Sequence, residues 1–253
     1  MNLFRALPAA TLVLAAACSV GATSPDPLTV AAAASLAPIL DELGDIYENQ
    51  TGEAVIFSYG STGNLAQQIR NGAPFDLFAS ADALRIDELI AEGLMDEDSR
   101  LAFAQGVLVL VGAPELGLSL ESVEDLANPI IRDVAIANPR HAPYGMAAAQ
   151  ALLRTGVEVT VFPKLVYGES VRHAGLLVQT GNTDAGLIAL TIAKSMDLEG
   201  PELSQELHDP IQHVVAILSD TPRLEQATRF LEFLSSPEAM AVYEKSGLIA
   251  GEG

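Results

Sequence analysis

The sequence predicts an α/β protein with two lobes, each made of strands that alternate with helices. Segments with the composition of buried strands alternate with segments whose apolar residues recur at helical spacing, which is typical of a helix-covered parallel sheet. Two strongly apolar runs, 106–112 and 213–218, interrupt this alternation and divide the chain. With 253 residues, 49% of them hydrophobic, the chain is long enough to bury two such cores.

The first lobe is predicted to begin with three strand–helix units. The predicted strands are 28–31, 54–58 and 76–79. Gly52 and Gly72 are stop signals for the first two helices, and Asp82 is placed to cap a third helix over 83–92.

The second lobe is predicted to repeat this pattern after the run 106–112. Its elements are predicted as helices near 121–127, at 145–155 and at 170–180, and as strands at 133–137, 164–167 and 185–189. Two further helices, 222–235 and 237–246, follow the run 213–218 without a strand of their own. We therefore expect these two helices to pack back on the first lobe.

These patterns define the expected lobe boundaries. Residues 28–107 and 216–253 are expected to form the first lobe, and residues 108–215 the second. The chain would then cross between the lobes twice, at about 107–111 and 214–218. Two lobes joined by two crossover strands would leave a ligand cleft between them.

The N-terminus has the pattern of an export signal. Arg5 precedes an apolar run over 6–17 that is too short to span a bilayer as a helix. The run ends at Cys18 in a stretch that resembles the lipobox of bacterial lipoproteins, which implies cleavage before Cys18 and lipidation of its thiol. We interpret 1–17 as a signal peptide and 18–27 as a lipid-anchored tether. The alternative is an ordinary cleaved signal in which Cys18 has no role.

Charge and composition exclude several classes of partner and cofactor. The chain has 13 Lys and Arg against 33 Asp and Glu, a formal net charge of −20 that would repel a nucleic-acid backbone. The single cysteine excludes a disulfide framework and a multi-cysteine metal site. The histidines show no metal-ligand spacing and are expected at surface or capping positions; they are His141, His173, His208 and His213. No resident cofactor and no bare metal cation are therefore expected.

Two serines lie where a predicted strand ends and a helix begins. Ser35 follows four alanines, and Ser61 lies in a Tyr-Gly-Ser-Thr-Gly sequence. In a parallel sheet such turns lie at the carboxyl ends of strands, where ligands bind, and helix N-termini attract anions. An anion pocket with hydroxyl donors is therefore predicted. The alternative is that each serine is only an N-cap.

The sequence contains no complete motif of a common enzyme class. The spacing Gly60-Ser61-x-Gly63 differs from that of a nucleophile elbow, and no phosphate-binding loop or full dinucleotide fingerprint occurs. We therefore expect no enzymatic activity. The alternative from this class is a secreted serine hydrolase that uses Ser61 as its nucleophile.

Seven short motifs lie in order along residues 28–249. They are Ala-Ala-Ala-Ala-Ser-Leu at 31–36, Gly-Ser-Thr-Gly at 60–63, Gly-Ala-Pro-Phe-Asp-Leu-Phe-Ala-Ser-Ala-Asp at 72–82, Asn-Pro-Arg-His-Ala-Pro-Tyr-Gly at 138–145, Tyr-Gly-Glu-Ser-Val at 167–171, Gly-Asn-Thr-Asp-Ala-Gly at 181–186 and Ser-Ser-Pro-Glu-Ala at 235–239. In this order the motifs resemble those of the periplasmic molybdate-binding proteins of ABC importers. The resemblance implies a two-lobed periplasmic-binding-protein fold whose cleft closes on molybdate or tungstate. It also implies a periplasmic location and the permease subunits of an importer as partners; we expect a monomer.

The resemblance implies four ligand-binding residues. The hydroxyl and backbone N–H groups of Ser35 and Ser61, the main chain of Tyr144 and the backbone N–H of Val171 would hold the oxyanion. The family often adds a tyrosine hydroxyl at the position of Ala189, and the phenol of Tyr144 is predicted to compensate for its loss. The alternative is that Tyr144 contributes only main chain, with its ring on the surface. A sulfate-binding or other small-anion-binding protein of the same architecture is the alternative function.

Overall fold

The computed structural model describes residues 26–251, which contain ten strands and nine α-helices joined by loops and short 3₁₀ turns. The strands are β1 Leu28–Ala33, β2 Val55–Gly60, β3 Leu77–Ser80, β4 Leu101–Gly106, β5 Leu108–Gly112, β6 Val134–Ala137, β7 Leu165–Gly168, β8 Ala185–Ala189, β9 Ile211–Ile217 and β10 Ile249–Ala250. The helices are α1 Ala37–Thr51, α2 Thr62–Arg70, α3 Ala83–Ala91, α4 Pro143–Arg154, α5 Glu158–Val161, α6 Val171–Gln179, α7 Leu190–Ser195, α8 Leu224–Leu234 and α9 Pro237–Ser246. The predicted signal peptide 1–17, Cys18 and positions 19–25 of the predicted tether lie outside the described residues.

The strands form two separate sheets, one for each lobe. The first sheet has six strands in the order β10-β4-β9-β3-β1-β2, and the second has four in the order β5-β8-β6-β7. In the first sheet β1 runs parallel to β2 and β3, whereas β9 is antiparallel to both β3 and β4. In the second sheet β6 runs parallel to β7 and β8. The predicted two-lobed α/β fold is therefore confirmed.

The first crossing between the lobes takes place at Val107. β4 ends at Gly106 in the first sheet, and β5 begins at Leu108 in the second sheet. The apolar run over 106–112 that was predicted as one strand therefore belongs to two sheets.

The chain returns to the first lobe earlier than the sequence suggested. All seven residues of β9 pair with β3 or β4, from Ile211 opposite Gly106 to Ile217 opposite Leu77. The expected boundary at 215–216 therefore falls inside β9, and the return crossing precedes Ile211. The strand begins before the apolar run over 213–218, because the polar Gln212 also pairs in the sheet. Hydrophobicity alone therefore did not mark the start of the strand.

Several elements were not predicted, and each has a weak local signal. β4 has the sequence Leu-Ala-Phe-Ala-Gln-Gly, which lacks a run of β-branched residues. The helix α7 has only six residues, and β10 has two. The predicted helix near 121–127 is a 3₁₀ turn, Val123–Ala127.

The two closing helices pack on the first lobe, as expected. α8 contacts β9, and α9 contacts α1. The aromatic ring of Phe230 on α8 lies edge-on to Tyr47 on α1, with ring centroids 5.1 Å apart. In the described part of the chain, no helix is both long and apolar enough to cross a membrane.

Candidate functional site

A small cavity lies between the two lobes. The structure brings all four predicted ligand-binding residues to its wall: Ser35, Ser61, Tyr144 and Val171. The remaining lining residues are small or uncharged: Ala33, Ala34, Gly60, Thr62, Ala81, Ala142 and Pro143. No charged side chain belongs to this lining.

Each lobe contributes two adjacent strand-to-helix turns to the cavity. In the first lobe Ser35 follows β1 and Ser61 follows β2, and these strands are parallel neighbours whose last residues pair with each other. In the second lobe Tyr144 lies in the first turn of α4 after β6, and Val171 begins α6 after β7. β6 and β7 are again parallel neighbours. The first N–H groups of a helix have no intrahelical partner, so these turns direct backbone donors toward the space between the lobes.

Neither serine caps a helix with its side chain. Ser35 lies inside the 3₁₀ turn Ala34–Leu36, and Ser61 occupies the N-cap position of α2 without a capping hydrogen bond. By contrast, Ser236 and Asp82 do cap their helices and accept hydrogen bonds from backbone N–H groups. The hydroxyls of Ser35 and Ser61 are therefore available to other partners, which argues against the capping interpretation.

Ser35 has a buried histidine as its neighbour. His213, on β9, is 0% exposed, and its Nε2 lies 3.3 Å from the Ser35 Oγ. Burial lowers the pKa of His213 to about 3, so its imidazole is neutral at neutral pH. The expectation of a surface or capping histidine is wrong for His213. It is also wrong for His208, which is buried as well.

Ser61 has a histidine neighbour from the opposite lobe. The Nδ1 of His141 lies 2.9 Å from the Ser61 Oγ. The backbone N–H of Gly63 donates to the carbonyl oxygen of His141 over 2.8 Å. These contacts connect the first turn of α2 to the loop that precedes α4, so His141 joins the two lobes next to the cavity.

The ring of Tyr144 is buried at the cavity, not spread on the surface. Tyr144 is 2% exposed, and its hydroxyl has no hydrogen-bond partner among the described residues. Burial raises the pKa of this phenol well above its usual value. Gly106 makes room for the ring, because a Cβ at that position would lie 2.1 Å from the Tyr144 hydroxyl oxygen.

Ala189 supplies no polar group to the site. It is fully buried at the end of β8, pairs with Leu108, and does not line the cavity. Tyr144 is the one tyrosine in the cavity lining.

Three residues near the site were missed by sequence reasoning: Thr62, His141 and His213. Thr62 lines the cavity, and its Oγ1 accepts a hydrogen bond from the Ala81 N–H. Its position beside Ser61 in the Gly-Ser-Thr-Gly motif was a usable signal. The histidines gave no such signal, because they reach the serines only through the tertiary fold.

The Ser61–His141 distance matches that of a nucleophile and its base, as the hydrolase alternative requires. A base of this kind is normally oriented by a third polar group. Within residues 26–251, no carboxylate is hydrogen-bonded to His141, and Asp82 is engaged in capping α3. The same residues contain no cluster of three or more His, Cys, Asp or Glu side chains that could hold a metal ion.

Comparison with known proteins identifies the family. The family described as bacterial extracellular solute-binding protein matches residues 28–249 of this chain. The molybdate-binding protein ModA of Rhodobacter capsulatus is 33% identical over 222 residues, which cover 87% of this chain and 86% of the relative. A putative ABC transporter substrate-binding lipoprotein of Bacillus subtilis, YvgL, is 34% identical over 248 residues, or 94% of each chain.

A solved structure agrees with this result. The periplasmic molybdate-binding protein of Azotobacter vinelandii superimposes with a TM-score of 0.83 and 31% sequence identity. The match covers 89% of this chain and 100% of that protein. The two sheets, the cleft between them and the sequence match together show that the chain belongs to the family of bacterial extracellular solute-binding proteins.

Proposed function

We propose that this protein binds molybdate or tungstate outside the inner membrane and delivers it to an ABC importer. The observation that carries the proposal is the uncharged cavity where two strand-to-helix turns from each lobe meet. Such a cavity can bind an oxyanion through hydroxyl and backbone N–H donors that come from both lobes. The molybdate-binding relatives support the choice of ligand.

The donors at this cavity are sufficient for tight binding without an arginine or lysine. The candidates are the hydroxyl and N–H groups of Ser35 and Ser61 and the N–H groups of Tyr144 and Val171. Hydrogen bonds to a charged group contribute roughly 1.5–3 kcal/mol each, so six give about 9–18 kcal/mol before costs. A submicromolar Kd needs about 8–9 kcal/mol, which leaves room for ordering and closure.

The chemistry of the lining also favours some anions over others. A carboxylate would accept the proton of a protonated phosphate, and no carboxylate lines the cavity. Molybdate, tungstate and sulfate carry no proton at neutral pH, so size must distinguish among them. A sulfate-binding protein is therefore the principal competing function.

A panel of anions tests the proposal directly. We expect molybdate and tungstate to raise the thermal midpoint and to give submicromolar Kd values by calorimetry, because the ligand binds only the native state. Stabilisation by sulfate alone would favour the competing function. Specific labelling of Ser61 by a fluorophosphonate would favour the hydrolase alternative, and its absence would argue against it.

The proposal extends to the N-terminus, where we assign Cys18 as a lipidation site. The B. subtilis relative, which is named a lipoprotein, aligns with 94% of this chain. We expect the expressed protein to fractionate with membranes and Cys18→Ala to release it into the soluble fraction. An unchanged distribution would favour the ordinary cleaved signal.

Removing either serine hydroxyl is expected to weaken molybdate binding by roughly 1.5–3 kcal/mol, because each donates to a charged ligand. The variants are Ser35→Ala and Ser61→Ala, measured by calorimetry. Ser236→Ala is the matched control, since Ser236 caps α9 and does not line the cavity. The control should lose about 1 kcal/mol of unfolding free energy and no affinity. Wild-type affinity in both Ser35→Ala and Ser61→Ala would mean that the anion site is placed wrongly.

The buried hydroxyl of Tyr144 is expected to contact the oxyanion in place of the tyrosine that Ala189 replaces. Tyr144→Phe should therefore cost roughly 1.5–3 kcal/mol of molybdate affinity. It should not lower the stability of the ligand-free protein, because this hydroxyl has no partner among the described residues. Tyr243→Phe is the control: its buried hydroxyl donates to the Leu234 carbonyl, so it should lose stability but not affinity. Unchanged affinity in Tyr144→Phe would restrict Tyr144 to a main-chain role.

A further inference from the structure

His213 lies directly behind two of the groups assigned to the anion. Its Nε2 is 3.3 Å from the Ser35 Oγ, and its ring centroid is 6.2 Å from that of Tyr144. Gly106 leaves space for both rings, since a Cβ there would also lie 3.0 Å from the His213 Cε1. Burial is the one influence resolved on the pKa of His213, so no charged group adds to it. Among the described residues, Ser35 is the hydrogen-bonding partner of the His213 imidazole.

The contact between His213 and Ser35 can exist in two forms that have the same number of protons and differ in which ring nitrogen of His213 carries one. A neutral imidazole has one N–H and one lone pair, and a hydroxyl has one proton. If the Nε2 is unprotonated, it accepts the Ser35 proton, and the hydroxyl then presents only lone pairs to the cavity. If the Nε2 is protonated, it donates to the Ser35 Oγ, and the Ser35 proton remains free to point into the cavity.

Only the second form suits an anion. Lone pairs directed at a dianion in a buried site are repulsive, whereas a donated proton stabilises it. A donor behind the hydroxyl also polarises it and strengthens the hydrogen bond that it makes in turn. The His213 Nδ1 has no partner among the described residues, so it imposes no competing choice of tautomer.

We propose that His213 is a positioning residue that, protonated on Nε2, donates to Ser35 and so directs the Ser35 hydroxyl proton at the bound oxyanion. This inference rests on the proposed anion-binding function. It adds a residue that lies 178 positions from Ser35 in the chain and does not line the cavity. The turn that carries Ser35 is further held by the second lobe, because Thr191 Oγ1 donates to the Ser35 carbonyl over 2.7 Å.

Two substitutions separate donation from packing. His213→Leu removes the donor but fills similar space, and we expect about a tenfold loss of molybdate affinity. His213→Gln places an amide N–H near the position of the Nε2, and its affinity should stay within about threefold of wild type. A role in packing alone predicts the reverse order, since leucine suits an apolar site better. That order, or equal affinity in all three proteins, would overturn the proposal.

Nuclear magnetic resonance of the wild-type protein gives a test that does not depend on folding of a variant. With ¹⁵N-labelled histidine and saturating molybdate, the His213 signal should be that of the Nε2–H tautomer. The signal can be assigned by its loss in His213→Gln. An Nδ1–H tautomer in the bound protein would overturn the proposal.

Failure of the proposed function would look different. If wild-type protein binds sulfate instead of molybdate, the same tautomer experiment is done with sulfate and still decides the role of His213. If wild-type protein binds no anion of the panel, the proposed function fails in that measurement, and the inference about His213 fails with it. If wild type binds molybdate and only the tautomer or the order of the variants is wrong, the function stands and the role of His213 does not.

Discussion

Substitution of Gly63 by valine is expected to lower molybdate affinity by about 3–6 kcal/mol without unfolding the protein. The reason is that the valine side chain would hold the two lobes apart. A Cβ at Gly63 would lie 2.9 Å from the Cβ and 3.0 Å from the Cα of His141, closer than unbonded carbons approach. The backbone of His141 cannot rotate away, so the second lobe must move. Its two backbone donors, at Tyr144 and Val171, would then lose the ligand, and each contributes roughly 1.5–3 kcal/mol.

The control for Gly63→Val is Asn64→Val. Asn64 is the next residue of α2 and is exposed, so valine there tests helix propensity alone. Calorimetry should rank the molybdate affinities as Asn64→Val, Gly63→Ala and Gly63→Val, from tightest to weakest. Small-angle scattering should show molybdate reducing the radius of gyration of the control but not of Gly63→Val. Equal affinity in the two valine variants would show that the Gly63–His141 contact is not part of the bound state.

This expectation follows from the way in which the site is divided between the lobes. Ser35 and Ser61 come from the first lobe, whereas Tyr144 and Val171 come from the second. Of the six donors, four belong to the first lobe and two to the second, so neither lobe alone offers a dianion the full set. A ligand held by both therefore stabilises the arrangement in which the lobes touch, which is how binding can drive closure.

Local signals at strand ends predicted Ser35 and Ser61 at the cavity, whereas Tyr144 and Val171 followed only from the family resemblance. Each lies in a short motif at the end of a strand, and parallel neighbouring strands bring such ends together. The histidines could not be found in this way. Ser61 and His141 are separated by 80 positions, and their contact depends on how one lobe lies against the other. No periodicity or spacing in the sequence contains that information.

Asp76 illustrates a similar limit within a recognised motif. It belongs to the sequence Gly-Ala-Pro-Phe-Asp at 72–76, which supported the resemblance but indicated no role for the carboxylate. In the structure Asp76 is 1% exposed and does not line the cavity. Its oxygens accept hydrogen bonds from the Thr29 N–H at 2.7 Å, the Thr221 hydroxyl at 2.6 Å and the Arg223 Nε at 3.0 Å. It therefore joins β1 to the segment that leads into α8.

Asp76→Asn is expected to cost about 3 kcal/mol of unfolding free energy at pH 7 while leaving molybdate affinity unchanged. Removing one partner of a buried ion pair typically costs about 3–5 kcal/mol, and the lower end applies because the Arg223 side chain is 24% exposed. Asp209→Asn is the matched control. Asp209 also pairs with an arginine, Arg154, but both side chains are exposed, so much less stability should be lost than in Asp76→Asn.

The dependence of this loss on pH identifies its cause. Burial is the largest single influence on the pKa of Asp76 and raises it, but the hydrogen bonds from Thr221, Thr29 and Arg223 together lower the pKa below its usual value. A lowered native pKa means that the ionised carboxylate stabilises the fold above the pKa of the unfolded chain, about 4, and that this contribution is lost as the pH falls through the native pKa. In urea titrations the difference between wild type and Asp76→Asn should therefore be constant from about pH 5 to 7 and should shrink below about pH 4. A difference that grows on acidification, or one no larger than that of Asp209→Asn, would contradict a stabilising role for the charged form of Asp76.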